Sequence, residues 1–245
     1  MSNLWKYIIM SLSILLAAIV VAAAYTEGHK PAEGTITVTG LGETEFTSDL
    51  IVINGTIQAD EYDAAEAYRT LEQHRQKMIA FLASKGVNEE QISFNMPYTY
   101  KMSRRVYENG DYSGEEFAGY NISQSFTIES KDVDTTESAA RDLPSLIAEG
   151  INIYVNNPMY YYTGLEDVKL TLLADAAADA RDRAMNIAKS SHAELGELKL
   201  SRAGVFQITA ATGDEEFSAG GSFNLSSRDK KARVTVRSEF YISRK

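Results

Sequence analysis

Three aspartates, Asp175, Asp179 and Asp182, stand four and three residues apart in the stretch ADAAADARDRA, a spacing that brings their carboxylates to one helical face. Their oxygens suit a hard cation such as Ca²⁺ or Mg²⁺, but such sites usually draw their ligands from a shaped loop. At about 100° per residue the three fall opposite a stripe of Leu173, Ala177, Ala180 and Ala184, and Arg183 follows Asp179 by four. The spacing therefore predicts a solvated helix face and no metal. His74 and His192 are the acid–base candidates, with His29 in a polar linker. Nothing in their spacing pairs them, and each reads as a helix-margin or helix-end histidine. Arg75 falls inside an apolar arc with Leu71, Met78 and Leu82, where its stem can cover a sheet while its head meets a carboxylate. No serine sits in a G-x-S-x-G elbow, and Lys101-Met102-Ser103 lacks the nucleotide-binding context of the signature it matches. With no cysteine in the chain, disulfides, thiolate nucleophiles and iron–sulfur clusters are excluded. The residues assign no catalytic, cofactor-binding or metal role, and we read the chain as a non-enzyme without a cofactor.

The tyrosines carry a different chemistry. Tyr98, Tyr100, Tyr107, Tyr112 and Tyr120 fall in one extended stretch, and Tyr160, Tyr161 and Tyr162 close another. A tyrosine ring buries area while its hydroxyl tolerates water, which suits a protein interface, so these eight are the candidate interface residues. Tyrosine also belongs on half-exposed sheets, and three in succession cannot all face one side.

The elements that position these residues follow from composition and periodicity. The chain has 245 residues with 44% hydrophobic and 24% charged, which suits a globular protein with a sizeable core. Its net charge of −10 argues against nucleic acid as a partner. Residues 7–24, YIIMSLSILLAAIVVAAA, carry no charge, Pro or Gly and follow Lys6. They predict a hydrophobic helix serving either as a cleavable export signal ending at Ala22-Ala23-Ala24 or as a retained transmembrane anchor, with the remainder translocated. Residues 1–24 form that segment, 25–33 a polar linker, and 34–245 the folded domain.

Within the domain, 35–40 and 49–60 read as strands of one hairpin, and 61–85 as an amphipathic helix stopped at Gly86. Residues 92–105 and 119–130 read as a long hairpin whose tip, ENGDYSGEEFA, is mobile. A weaker helix spans 132–149, with Pro144 interrupting it and Gly150 ending it. Then come strand-like 151–163, a long helix from 165 to about 191 whose stripe runs from Leu173 through Ala184 to Ile187, strand-like 197–211, a mobile Gly/Ser-rich loop at 213–231 and a final strand at 232–243. The order βαββ recurs loosely. The fold class expected is α+β, a mainly antiparallel sheet covered by amphipathic helices, plus the N-terminal hydrophobic helix.

Several blocks in this frame resemble the SIMPL-domain family, which includes YggE-like and periplasmic immunogenic proteins. They are ITVTGLGE with DLIVINGTIQAD, FLASKGVNEEQISF, GYNISQSFTIES, ADAAADARDRAMNIAKSSHAELGEL and the closing ARVTVRSEFYIS. The likeness runs from about Gly34 to Ser243. The Ala-rich helix with Ala178-Asp179-Ala180-Arg181 leading to Leu195-Gly196 is the most specific part. The loop from Gly213 to Lys231 and the Tyr-rich hairpin depart from the family pattern. The resemblance implies an α+β domain of the periplasm or another extracytoplasmic space, without established catalytic residues. Some relatives form ring- or channel-like homo-oligomers, and some are linked to stress tolerance. The function expected is a membrane-anchored, self-assembling envelope protein. The alternative is a soluble periplasmic domain that binds a small ligand or protects against stress.

Overall fold

The computed structural model describes residues 2–28, 34–212 and 218–244. The linker residues 29–33, with His29, and the central part of the Gly/Ser-rich loop, 213–217, lie outside the described residues. The chain divides into two compact units, one of Met1–Gly40, Ala180–Arg202 and Arg237–Lys245, the other of Leu41–Asp179 and Ala203–Val236. The fold is α+β, and the described residues form four α-helices and two mostly antiparallel sheets of five and six strands.

The helices are α1 (Ser2–Gly28), α2 (Ala64–Ser84), α3 (Val133–Asp142) and α4 (Leu165–Ser190). The strands are β1 (Gly34–Thr47), β2 (Leu50–Glu61), β3 (Ile92–Phe94), β4 (Tyr98–Glu108), β5 (Asp111–Ser130), β6 (Asn152–Val155), β7 (Met159–Tyr161), β8 (Ala193–Ala203), β9 (Gln207–Ala210), β10 (Ser222–Phe223) and β11 (Asp229–Arg244). The larger sheet runs β3-β5-β2-β6, with β4 also beside β5 and β7 beside β2. The smaller runs β1-β11-β9-β10, with β8 beside β11.

The larger unit is built on alternation. In β2, Ile51, Ile53, Ile57 and Ala59 are buried while their neighbours are half-exposed, the period of a strand with one covered face. Helix α2 lays Ala67, Leu71, Met78 and Leu82 on that face, joined by Phe126 and Ile128 of β5 and by Leu143 and Leu146 of the 3₁₀ segment after α3. Asp63 caps α2, its Oδ1 accepting from the N–H groups of Ala65 at 2.9 Å and Glu66 at 3.2 Å. Gly86 stops the helix at φ 92°, where a side chain would be strained. A second cluster in this unit joins Leu172 and Ala176 of α4 to Ile208, Ala232, Val234 and Val236.

Three expectations are corrected here. β1 and β2 do not form a hairpin: β1 pairs with β11 and β2 with β5. The corner between them is fixed from outside, as Ser48 N–H donates to Arg228 O at 2.9 Å and Asp49 N–H to Tyr161 O at 3.0 Å. The α4 stripe keeps Ala180 and Ala184, but it is completed by Leu172, Ala176 and Ala188, which are buried, whereas Leu173 is half-buried and Ala177 and Ile187 are exposed. The closer approach of α4 to β1 decides this, because a Cβ on Gly42 would lie 3.2 Å from Ala176 N, so a bare backbone meets the helix there. The latter half of the 213–231 loop is held in place. β10 pairs in parallel with β9, and Lys230 is 1% exposed, its ammonium donating to the carbonyls of Asn224 and Ser227.

The smaller unit has its own cluster of Val38, Ala180, Ala184 and Phe240, with Ile36 and Leu195 against it. Lys199 pairs with Glu239 at 3.0 Å. Helix α1 belongs to this unit, and its described side chains, Trp5 and residues 8–23, are all exposed. Among the described residues, whose side chains cover only 8–23 of the apolar stretch 7–24, no helix is long and apolar enough to cross a membrane.

Candidate functional site

The aromatic stretch folds as an arm. Strands β4 and β5 are joined by Asn109 and Gly110 at φ 54° and 92°, the two positive values of a type I′ turn, whose twist matches that of the strands it connects. The tip expected to be mobile is therefore a two-residue turn, and residues 111–118 continue β5. β2 pairs with β5 only as far as the Glu61–Tyr120 pair. Beyond it, among the described residues, β5 has β4 alone, so residues 102–108 of β4 and 111–119 of β5 form a two-stranded ribbon outside the sheet. Register shifts at Met102/Ser103 and Val106/Tyr107 mark irregularities that add twist.

From 98 to 118 every residue is exposed except the half-buried Met102, Val106 and Gly114. Tyr98 and Tyr100 lie 6.3 Å apart by ring centroid, and Tyr107 and Tyr112 meet edge-on at 6.0 Å across the tip. At the base, Tyr62, Phe117 and Tyr120 form an edge-to-face chain, 5.1 Å and then 5.3 Å between centroids. Tyr62 and Phe117 escape a search for tyrosine clusters because one lies in the turn before α2 and the other is a lone phenylalanine. An ion pair and a hydrogen bond brace the ribbon: Arg104 Nη2 to Glu116 Oε2 at 2.9 Å, and Ser103 Oγ donating to Glu115 Oε2 at 2.7 Å.

Of the eight candidate tyrosines, Tyr98, Tyr100, Tyr107 and Tyr112 are exposed on the arm, and Tyr120 is half-buried at its base. The other three pack against residues of their own unit. Tyr160 pairs with Ile51 in the sheet and is 8% exposed within the main core. Burial, reinforced by the Glu137 carboxylate that its hydroxyl meets, pushes its phenol above the ordinary value. Tyr161 lies half-buried with its hydroxyl toward Met159 Sδ at 3.9 Å, and Tyr162 packs on Phe46 at 4.7 Å. Alternation along β7 turns the middle tyrosine inward.

The polar candidates are absorbed by structure. Asp179 Oδ2 accepts from Leu41 N–H of β1 at 2.8 Å, so this carboxylate is drawn to a strand and not only to solvent. A His74 ring nitrogen lies 3.0 Å from the Gln58 carbonyl, and His192 stands at φ 54° in the turn after α4. Arg75 lies over the Phe94 ring, 5.4 Å to its centroid, and donates to Glu72 at 2.6 Å. Among the described residues no group of three or more His, Cys, Asp or Glu is placed to hold a metal ion. Surface grooves are small: one of about 270 Å³ is lined by Tyr68, Arg75, Phe94, Met96 and Pro97, and one of about 300 Å³ by Glu137, Arg141 and Tyr160. Small-molecule sites usually start at roughly 300 Å³ and enclose most of the ligand.

The profile of the SIMPL family, described as a protein of unknown function (DUF541), matches residues 36–240. No curated protein matches the chain. Among solved structures, a de novo designed protein, Foldit4, is similar over 44% of this chain and 93% of its own, at 11% identity and a TM-score of 0.24, too low to carry an argument.

Proposed function

We propose that this chain, which belongs to the SIMPL family, is a non-catalytic scaffold of the cell envelope, held at the cytoplasmic membrane by residues 7–24 and assembled into a homo-oligomer through its tyrosine-bearing arm. The observation that carries the reading is the arm itself. A ribbon of two strands leaves the sheet, buries little of its own aromatic surface and keeps open main-chain edges, which monomeric proteins usually shorten or cover. Tethering raises the local concentration of copies, so arms of modest affinity suffice to hold them together. In this reading Lys6 stays on the cytoplasmic side and 34–245 face the periplasm or its equivalent. A role in stress tolerance belongs to the same reading, through an envelope layer and not through turnover.

Light scattering after size exclusion of the full-length protein in detergent tests it. A multimer at micromolar concentration is expected, reduced to smaller species by Tyr107→Ser with Tyr112→Ser. A strictly monomeric full-length protein overturns the assembly. A second reading, a small-ligand-binding domain, rests on the groove where Arg75 and Phe94 meet the exposed Met96. Native mass spectrometry of freshly purified protein decides it by the presence or absence of a retained small molecule.

A further inference from the structure

We infer that copies of this chain join head to tail, the basic outer edge of β4 in one copy pairing with the acidic outer edge of the β5 arm segment in the next. The inference rests on the arm being the assembly surface and adds the polarity of the contact. Its grounds are the distribution of charge and the two open edges. β4 carries Lys101, Arg104 and Arg105 against Glu108 alone, whereas residues 111–118 of β5 carry Asp111, Glu115 and Glu116 and no cation. Among the described residues β4 has β5 as its only partner strand, and β5 loses β2 beyond Tyr120. The ribbon therefore has an unpaired edge on each side, one basic and one acidic, facing in opposite directions.

Those edges discriminate between ways of docking. A symmetric contact of β4 on β4 sets the Arg104 and Arg105 region against itself, and β5 on β5 does the same with Glu115 and Glu116. Like charges directly opposite on neighbouring strands are destabilising. Placing β4 beside the β5 segment of another copy puts arginines against glutamates. The pairing within a single copy is a template for that contact. Arg104 lies opposite Glu116 and Arg105 opposite Glu115, and the strands are antiparallel. The β4 strand of another copy laid antiparallel along the arm segment of β5, one strand spacing or about 4.8 Å away, repeats this arrangement across the boundary. Such a contact uses different surfaces on its two partners, so it closes into a ring or continues as a filament according to the rotation at each step.

The test exchanges the two charges while keeping the arm intact. The fourfold variant R104E/R105E/E115K/E116K preserves opposite-charge pairs within the hairpin, whereas R104E/R105E alone makes both edges acidic. Full-length proteins bearing two different affinity tags are mixed in detergent, captured on one tag and probed for the other. The twofold variant should lose at least tenfold in self-capture. The fourfold variant should capture itself as wild type does, yet capture wild type at least tenfold less. Amide exchange over 103–117 in each variant checks that the hairpin is formed. If the fourfold variant captures wild type as well as it captures itself, or if the twofold variant with a formed hairpin assembles normally, the polarity is overturned while assembly stands. If wild type does not capture wild type, both fall.

Discussion

The Tyr160 side chain lies in the core with its hydroxyl on Glu137, while Tyr107, of the same chemistry, is 58% exposed beside Tyr112. Substitution should separate them. Tyr160→Phe should cost about 1 kcal/mol by urea unfolding, the net worth of one hydrogen bond, and Tyr160→Ala about 3–5 kcal/mol. Tyr107→Ala should stay within about 0.5 kcal/mol of wild type while weakening self-capture. Asp49 at the corner and Glu43 within β1 set an acid limit. Burial by itself raises the Asp49 carboxyl, but donation from the Thr163 hydroxyl and N–H outweighs it and holds the group below 3.8. Burial likewise opposes the Arg233 and Lys231 hydrogen bonds that keep Glu43 below 4.5. Groups lowered in the folded state favour it above their unfolded pKa values and lose that contribution as pH falls through the folded ones. The melting temperature should therefore be flat from neutrality to about pH 5 and fall below about pH 4.5, less steeply in Asp49→Asn, as differential scanning fluorimetry would read.

At the scale of elements, two backbone devices fix the arrangement. Gly42 lets β1 touch α4, since its Cβ would lie 3.1 Å from the Leu172 carbonyl carbon. Gly42→Ala should cost about 1–3 kcal/mol by calorimetry through overpacking against main chain that cannot move aside. The Asn109-Gly110 turn fixes the arm, and replacing both residues with Ala should cost about 1–2 kcal/mol at each. The loss should be local: faster amide exchange over 103–117, with 120–130, paired with β2 throughout, unchanged. Much at this scale was legible in the chain. Alternation marks the core face of β2, Gly86 marks the end of α2, and the tyrosine stretch marks the hairpin, whereas the helix expected from 61 starts only after its cap Asp63. Polar composition makes the arm's tip look loose, but the Asn109-Gly110 pair, whose positive φ values specify a tight turn, decides its conformation.

At the scale of the whole molecule, the proposal joins an address to an assembly. Removing residues 2–24 should shift the protein from the membrane to the soluble fraction and lower its assembly by dilution, with the folded domain's melting temperature unchanged. Membrane fractionation of the tagged protein would read the first effect and light scattering the second. Because the head-to-tail contact relies on exposed charge, it should also weaken as ionic strength rises toward 1 M, where the screening length falls to about 3 Å.

The sequence by itself determined the local grammar: an uncharged apolar stretch at 7–24, period-two and helical segments, the absence of thiol chemistry, and family membership. Only the tertiary structure decided which sheet β1 enters, that Tyr160 turns inward, and that Lys230 is buried against carbonyls from its own loop. The physical reason is range. Periodicity and turn chemistry act over a few residues, whereas β1 finds its partner in β11 nearly two hundred residues away, and register across that distance sets which side chain meets core, neighbour or water.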